Sequence, residues 1–174
     1  MHDQENIFKF KFKATFCNGW PSLRFCVDND VLQEFYFEQE YATVEIAMDL
    51  VDGDHILEIE RFGKTNKNFV FENNSMIQDQ TVELLDIYID NIQLPLSFKH
   101  QGHFCFDDQK ISGGLLWGPN GTYFLNFKTP LISWIIAEKL EKLDENLDSF
   151  IPNKYNLYQL SKDLSKFHCV LNEK

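Results

Sequence analysis

The stretch of sequence that decides the fold is residues 7–13, IFKFKFK, in which phenylalanine and lysine alternate. Successive side chains of a β-strand point to opposite faces, so the phenylalanines share one face and the lysines share the other. A helix would instead bring every third or fourth residue to one face. The stretch therefore predicts a strand with one face in a core and the other face in water.

The same alternation recurs along the first three quarters of the chain. Inward positions are expected at Leu23, Phe25 and Val27, at Val44, Ile46, Met48 and Leu50, and at Leu57 and Ile59. Over residues 81–94 the pattern places Leu85, Ile87 and Ile89 on one face, and further short strands are expected near 104–106, 115–117 and 123–127. Residues 63–75 are polar and are interpreted as a long loop. About eight short strands at regular spacing predict a β-sandwich.

The hydrophobic period changes after residue 128. Thr129 and Pro130 have the residue types of a helix N-cap and of the first helical position, and a helix to about residue 144 is expected. A second amphipathic helix is expected over residues 155–169. The fold class is therefore mainly β, a jelly-roll or β-sandwich with one or two C-terminal α-helices. The sandwich domain is expected over 1–128 and the helical extension, packing on or beside it, over 129–174.

The predicted helices have two interpretations. Their apolar side chains can dock a partner protein, or they can cap the open end of the sandwich. The candidate docking residues are Trp134, Leu157, Leu160, Leu164 and Phe167.

Composition excludes several classes of partner. The chain has 174 residues, with 27 acidic and 16 basic side chains and a formal net charge of −11. Such a charge repels phosphates over most of the surface, so no nucleic-acid partner is expected. The apolar run 131–137 is far shorter than the roughly 20 residues of a membrane span, and no membrane partner is expected. The first residues lack the pattern of a signal peptide, so synthesis in a cytoplasm and reduced cysteines are expected.

Two sets of residues are candidates for a ligand site. Aspartates in turns offer the hard oxygen ligands that Ca²⁺ prefers, namely Asp28, Asp30, Asp52 and Asp54. No EF-hand spacing accompanies them, so solvated carboxylates are the alternative, and no other cofactor is implied. Aromatic side chains at turns or strand ends can stack on a sugar, namely Trp20, Tyr41, Trp117 and Tyr123. The alternative is that Trp117 and Tyr123 close the end of the sandwich and that Trp20 wedges its first turn.

Catalytic motifs do not accompany these candidates. The sequence has no GxSxG, no glycine-rich phosphate loop and no HExxH. A non-enzymatic protein is therefore expected.

Three segments in order resemble a known group of proteins. They are GDHILEIERFGKT (53–65), VELLDIYIDNIQL (82–94) and LWGPNGTYFLNFKTPLISWI (116–135). In this order they resemble small virion-associated proteins of large tailed phages that have a carbohydrate-binding-module-like β-sandwich. The resemblance covers roughly residues 5–137.

The resemblance implies a non-enzymatic structural protein of the phage particle, located on the capsid surface, in the neck or in the tail. Its partners would then be other virion proteins or further copies of itself, and its location would be the virion. The alternative is a glycan-binding module that mediates attachment to a cell surface. The resemblance assigns no sugar-contacting residue.

Overall fold

A computed structural model describes residues 5–138 of the chain. Besides a further helical stretch at residues 131–138, this range contains thirteen strands and one short helix. They are β1 (Glu5–Ala14), β2 (Ser22–Val27), β3 (Asp30–Tyr36), β4 (Tyr41–Asp49), β5 (Gly53–Phe62), β6 (Phe69–Glu72), β7 (Ser75–Asp79), β8 (Val82–Ile89), β9 (Ile92–Gln93), α1 (Leu96–Lys99), β10 (His103–Phe106), β11 (Gln109–Ser112), β12 (Leu116–Trp117) and β13 (Gly121–Thr129).

The strands form two main sheets in which every pairing is antiparallel. The five-stranded sheet has the order β12-β8-β1-β4, with β9 also paired to β8, and the six-stranded sheet has the order β11-β10-β13-β5-β2-β3. Strands β6 and β7 pair only with each other and form a separate hairpin. The structure confirms the predicted β-sandwich class.

The core lies between the two sheets and consists largely of phenylalanine. Phe8, Phe10 and Phe12 of β1 are buried, as the alternating pattern predicts. The Phe10 ring lies 5.0 Å from that of Phe25 in the six-stranded sheet, and the Phe8 ring meets Phe127 edge-on at 5.7 Å. These contacts join the inner faces of the two sheets, which is the packing of a sandwich.

Three hairpins turn through pairs of residues with positive φ. The pairs are Asp28–Asn29, Asn73–Asn74 and Asp90–Asn91, with φ between 50° and 71°. Two consecutive left-handed residues are the requirement of a type I′ turn, whose twist matches that of the flanking strands. Asn and Asp tolerate this conformation better than other L-residues do.

Two strand predictions are corrected by the structure. A bulge shifts the β1–β8 register so that Lys11 pairs with Asp86 and Phe12 pairs with Leu84. Leu85 is the extra residue, so Leu84 is buried in its place. Residues 63–75 are not one long loop, because they contain β6 and the first residue of β7.

The end of β13 differs from the predicted helix start. Residues 131–138 are helical, but Thr129 is still in β13 and is not the N-cap. Its hydroxyl donates to the carbonyl of Val51 and accepts from the N–H of Gly53, so it closes a turn between strands. Of the described residues, 5–132 belong to one compact unit and 133–138 to a second. The second predicted helix, 155–169, lies outside the described residues.

The described helices are short. None of them has the length and apolar character that crossing a membrane requires.

Candidate functional site

A cleft lies beside the β6–β7 hairpin, with a volume of about 440 Å³. We call it the hairpin cleft. Its lining residues are Lys64, Thr65, Asn66, Phe69, Met76, Asp79, Phe106, Gly118, Pro119 and Asn120. The cleft thus joins side chains from the hairpin, from the segment after β5 and from the turns around β10 and β13.

The hairpin contributes Phe69 and Met76 to the apolar lining of the cleft. Phe69 and Phe71 lie two residues apart on β6, and their rings meet edge-on at 5.6 Å. Phe71 pairs with Met76 of β7, and both side chains are about half exposed. Phe106 of β10 adds a further aromatic ring to the lining. Aromatic rings left open to solvent in a concave site are available to a ligand.

The polar lining is organised around Lys64. Its ammonium forms an ion pair with Asp79 and donates to the carbonyls of Gly118 at 2.8 Å and Gln80 at 3.2 Å. An ammonium has three N–H groups, so these partners use all of them. Asp79 engages Lys64 through Oδ1, so its second carboxylate oxygen, Oδ2, takes no part in this ion pair, and Asp79 is one of the residues that line the cleft.

The segment after β5 is held in place by amide side chains. Asn120 accepts from the N–H of Lys64 at 2.9 Å and donates to its carbonyl at 3.0 Å. The carbonyl of Asn68 accepts from the N–H of Gln80, and its side-chain oxygen accepts from the N–H of Thr65. Asn66 lies between these anchored residues, is exposed and lines the cleft. Its amide can both donate to and accept from a ligand.

A buried arginine lies directly behind the polar lining. Arg61 ends the inward-facing series of β5 and is 0% exposed. Its Nη2 donates to the backbone carbonyl of Gln80 at 2.8 Å and to the Gln80 side chain at 3.0 Å. Burial lowers the pKa of Arg61 to about 10, and the nearby charge of Asp79 opposes this shift only in part. The side chain is therefore still charged at neutral pH.

Trp117 and Tyr123 do not form the predicted sugar platform, because both are fully buried. The Trp117 ring stacks on Phe104 and on Tyr123, each at 5.5 Å, and its indole N–H donates to the carbonyl of Gly114. The Tyr123 hydroxyl donates to the carbonyl of Lys99 at 2.6 Å. Both residues are therefore part of the buried core of the sandwich, in line with the alternative interpretation.

Trp20 and Tyr41 are accessible but do not line the hairpin cleft. Trp20 is partly exposed and meets the half-exposed ring of Phe16 edge-on at 5.3 Å. Tyr41 is 56% exposed and lines a different depression of about 340 Å³ with Lys11 and Gln39. The structure therefore does not gather the four predicted aromatic residues into one site.

The four predicted calcium ligands are not gathered either. Asp28 accepts from the His55 ring and from the N–H of Ile56, whereas Asp54 pairs with Lys128. Asp52 lines a separate cavity of about 540 Å³, and Asp30 is exposed at the start of β3. Within residues 5–138, no group of three or more His, Cys, Asp or Glu side chains could hold a metal ion.

Asp28 has the most distinctive electrostatic setting of these aspartates. Burial favours the protonated form, but hydrogen bonds from His55 and from the N–H of Ile56 outweigh it and lower the pKa of Asp28. The other nitrogen of His55 lies 2.8 Å from the carbonyl of Val51. Asp28 is therefore part of the packing between the β2–β3 turn and β5.

The predicted docking residues are only partly described. Trp134 is 5% exposed, so its side chain is not available at the surface. Leu157, Leu160, Leu164 and Phe167 lie outside the described residues.

Sequence patterns contained a signal for the hairpin cleft. Residues 69–71, FVF, alternate in the way of a short strand, and the pair Asn73–Asn74 that follows suits a type I′ turn. Because residues 63–68 before them are polar, the whole segment 63–75 is interpreted as a loop and both signals are missed. Arg61 carries no such signal, because a charged residue on an inward position of β5 runs against the pattern of burial.

Comparisons with known proteins concern the fold. No protein-family model matches the chain, and no curated protein matches it. One similar solved structure is described as vCBM60 in complex with galactobiose. It has a TM-score of 0.49 and 10% identity, and the match covers 70% of this chain and 97% of that one.

A second similar solved structure is the selenomethionine form of vCBM60, from a family of calcium-dependent carbohydrate-binding modules. It has a TM-score of 0.46 and 11% identity, with coverage of 69% and 89%. At this level of similarity neither structure assigns a site residue to this chain, and neither concerns a phage particle.

Proposed function

We propose that this protein is a non-catalytic glycan-binding module and that the hairpin cleft is its binding site. The observation that carries the proposal is that one concave surface combines partly exposed aromatic rings with a carboxylate and with the exposed side-chain amide of Asn66. A pyranose ring has an apolar face, which packs on an aromatic ring, and a rim of hydroxyls, which bonds to carboxylate and amide groups.

Each group of the cleft has a part in this proposal. Phe69 and Phe106 provide the surfaces on which a sugar ring packs. Asp79 Oδ2 accepts from a sugar hydroxyl, and Asn66 both donates and accepts. Lys64 has its three N–H groups occupied, so it orients Asp79 rather than bonding to the sugar.

The number of carboxylates in the cleft favours ligand binding over hydrolysis. Of the described residues that line the cleft, Asp79 is the one that carries a carboxylate. Glycoside hydrolysis generally needs two carboxyl groups, one as acid and one as base or nucleophile. Asp79 alone, tied to Lys64, suits a ligand-binding role.

A glycan array followed by calorimetry with the best oligosaccharides tests the proposal. Galactose-, glucose-, mannose- and xylose-based oligosaccharides are suitable probes. Phe69→Ala is expected to weaken binding about tenfold, because it removes the packing surface for the sugar. Tyr41→Ala is the matched control, since Tyr41 is an exposed aromatic residue outside the cleft. Loss of binding in Tyr41→Ala but not in Phe69→Ala would place the site elsewhere, and silence of the array would refute the function.

A role in a phage particle stays a prediction from the sequence. The feature that favours protein contact is β3, an edge strand with Val31 63% and Tyr36 59% exposed. Exposed apolar side chains on an open sheet edge are suited to pairing with another chain. Mass spectrometry of purified particles tests this role directly, and absence of the chain from them would exclude it.

A further inference from the structure

Arg61 is in a position that packing alone does not explain. It follows Leu57 and Ile59 on the inward face of β5, where an apolar residue is the ordinary occupant. Its Nε and Nη1 have no hydrogen-bond partner among the described residues. A buried charge with unpaired N–H groups is unfavourable, and well-packed apolar replacements of such groups are often neutral or stabilising.

The bonds that Arg61 does make lead to the cleft. Its Nη2 bonds twice to Gln80, once to the backbone carbonyl and once to the side chain. The same carbonyl accepts from Lys64, so two cations converge on one oxygen. Gln80 directly follows Asp79, and its side-chain amide donates to the carbonyl of Gly19. Arg61 therefore links the rigid centre of the six-stranded sheet to the residue after the cleft carboxylate.

This link matters because the hairpin is held by individual hydrogen bonds and an ion pair rather than by strand pairing with a main sheet. Strands β6 and β7 belong to neither main sheet. The end of β7 carries Asp79, so any movement of Gln80 also moves the carboxylate and the aromatic face of the hairpin. Two further bonds reach the segment after β1: the Thr15 hydroxyl donates to the carbonyl of Asp79 at 2.7 Å, and the Gln78 side chain donates to the carbonyl of Phe16 at 2.9 Å. Arg61 adds an attachment to the inward face of β5.

We propose that Arg61 is a positioning residue of the hairpin cleft, which holds Asp79 and the hairpin in the binding geometry through Gln80 at the expense of stability. The inference rests on the proposed glycan-binding function. Arg61 itself is buried and does not touch the ligand. Its effect on binding arises because an anchored site loses less conformational entropy when a ligand binds.

The variant Arg61→Met in the full chain tests the proposal with three measurements. Resistance to urea is expected to be unchanged or higher, because an unpaired buried charge is removed. Amide hydrogen exchange in β6 and β7 is expected to be about tenfold faster, because the hairpin loses its attachment to β5 through Gln80. Affinity for the oligosaccharide found by the array is expected to fall by about fivefold or more. Arg61→Lys, which keeps the charge and a donor, should restore part of the affinity.

Each alternative outcome is informative. Lower stability with unchanged hairpin exchange would show that Arg61 serves the core alone and would overturn the proposal, as would failure of Arg61→Met to fold. If the wild-type protein binds no oligosaccharide, the proposed function fails. The exchange of β6 and β7 then still decides whether Arg61 positions the hairpin.

Discussion

At the scale of single residues, three basic side chains are largely withdrawn from solvent and have different partners. Lys64 and Lys99 each pair with a carboxylate, Asp79 and Asp86 respectively, and each also donates to backbone carbonyls. Arg61 donates only to Gln80, and among the described residues no carboxylate oxygen accepts from it. Paired buried charges contribute to a unique geometry, whereas an under-paired one needs another reason to be retained. The cleft provides that reason for Arg61.

Asp28 gives a prediction for the pH dependence of stability. Its pKa is lower in the folded protein than in the unfolded chain, so its ionised form stabilises the fold. This contribution is present above the unfolded pKa of about 3.9 and is lost as the pH falls through the lower folded value. Asp28→Asn should lower the free energy of unfolding by less than about 1 kcal/mol at pH 7, because His55 loses its charged acceptor but solvent screens the half-exposed carboxylate.

Urea unfolding of wild type and Asp28→Asn from pH 7 to pH 3 measures this difference. The gap between the two proteins should narrow at the acid end, where Asp28 of the wild type becomes protonated. Asp30→Asn is the control, because Asp30 is an exposed aspartate two residues further along the chain. A gap of the same size at every pH would contradict the assigned electrostatic role.

At the scale of elements, the sequence predicts the regular strands and misses those that depart from regularity. The alternation in β1, β2 and β5 specifies which face is buried because the period of two is uninterrupted. In β8 the bulge at Leu85 breaks the alternation, so that Leu84 rather than Leu85 shares the buried face with Ile87 and Ile89, and a bulge depends on the partner strand. Trp117 and Tyr123 resemble exposed aromatic residues in the sequence because both lie close to the turn at 118–120. Only the tertiary fold shows that Trp117 packs on Phe104 and on Tyr123.

The hairpin cleft was the least predictable part for the same reason. Its apolar wall comes from β6 and β7, and its polar groups come from segments up to 56 residues apart, as in the bond between Lys64 and Asn120. No local pattern links such positions. Asp and Asn are common in turns, so Asp79 and Asn120 give no sign of a site in the sequence. They line one cleft only because the tertiary fold brings their segments together.

The turn of the hairpin gives a prediction at this scale. Asn74 has a φ of +63°, which alanine adopts at a cost of about 1 kcal/mol and glycine adopts freely. Asn74→Ala should therefore speed amide exchange in β6 and β7 and weaken oligosaccharide binding, whereas Asn74→Gly should preserve both.

Asn91 provides a matched control, because it has the same φ of +63° in the β8–β9 turn. Asn91→Ala should destabilise its own hairpin without changing exchange in β6 and β7 or affinity for the sugar. Equal effects of Asn74→Ala and Asn91→Ala on binding would mean that the β6–β7 hairpin is not the wall of the site.

At the scale of the whole molecule, the charged side chains lie largely on the outside of the sandwich and the phenylalanines largely on the inside. Lys9 pairs with Glu45 across the outer face of the five-stranded sheet, and Arg24 pairs with Glu34 and Glu60 on the six-stranded sheet. Such exposed pairs contribute little to stability. The fold therefore depends on the apolar layer between the sheets, and the net charge of −11 serves solubility.

Substitution of Phe10 tests whether the stability of the fold comes from the apolar layer between the sheets. It is 0% exposed, stacks between Phe8 and Phe12 at 6.2 Å from each, and lies 5.0 Å from Phe25 of the opposite sheet. Phe10→Ala removes contacts within one sheet and across to the other, so a loss of about 3–5 kcal/mol is expected. A domain of this kind has about 5–15 kcal/mol in all, so the variant should be close to unfolding at 37 °C.

Phe71→Ala is the matched control, since the same side chain is lost from a position that is 55% exposed. It should change the free energy of unfolding by less than about 1 kcal/mol, because little buried surface is removed. Urea unfolding of both variants, followed by tryptophan fluorescence, measures the comparison. Trp117 packs against Phe12 and therefore reports on the same layer as Phe10. If the two variants lost equal stability, the fold would not depend more on the buried layer than on the exposed hairpin, and this assignment of the stabilising role would be wrong.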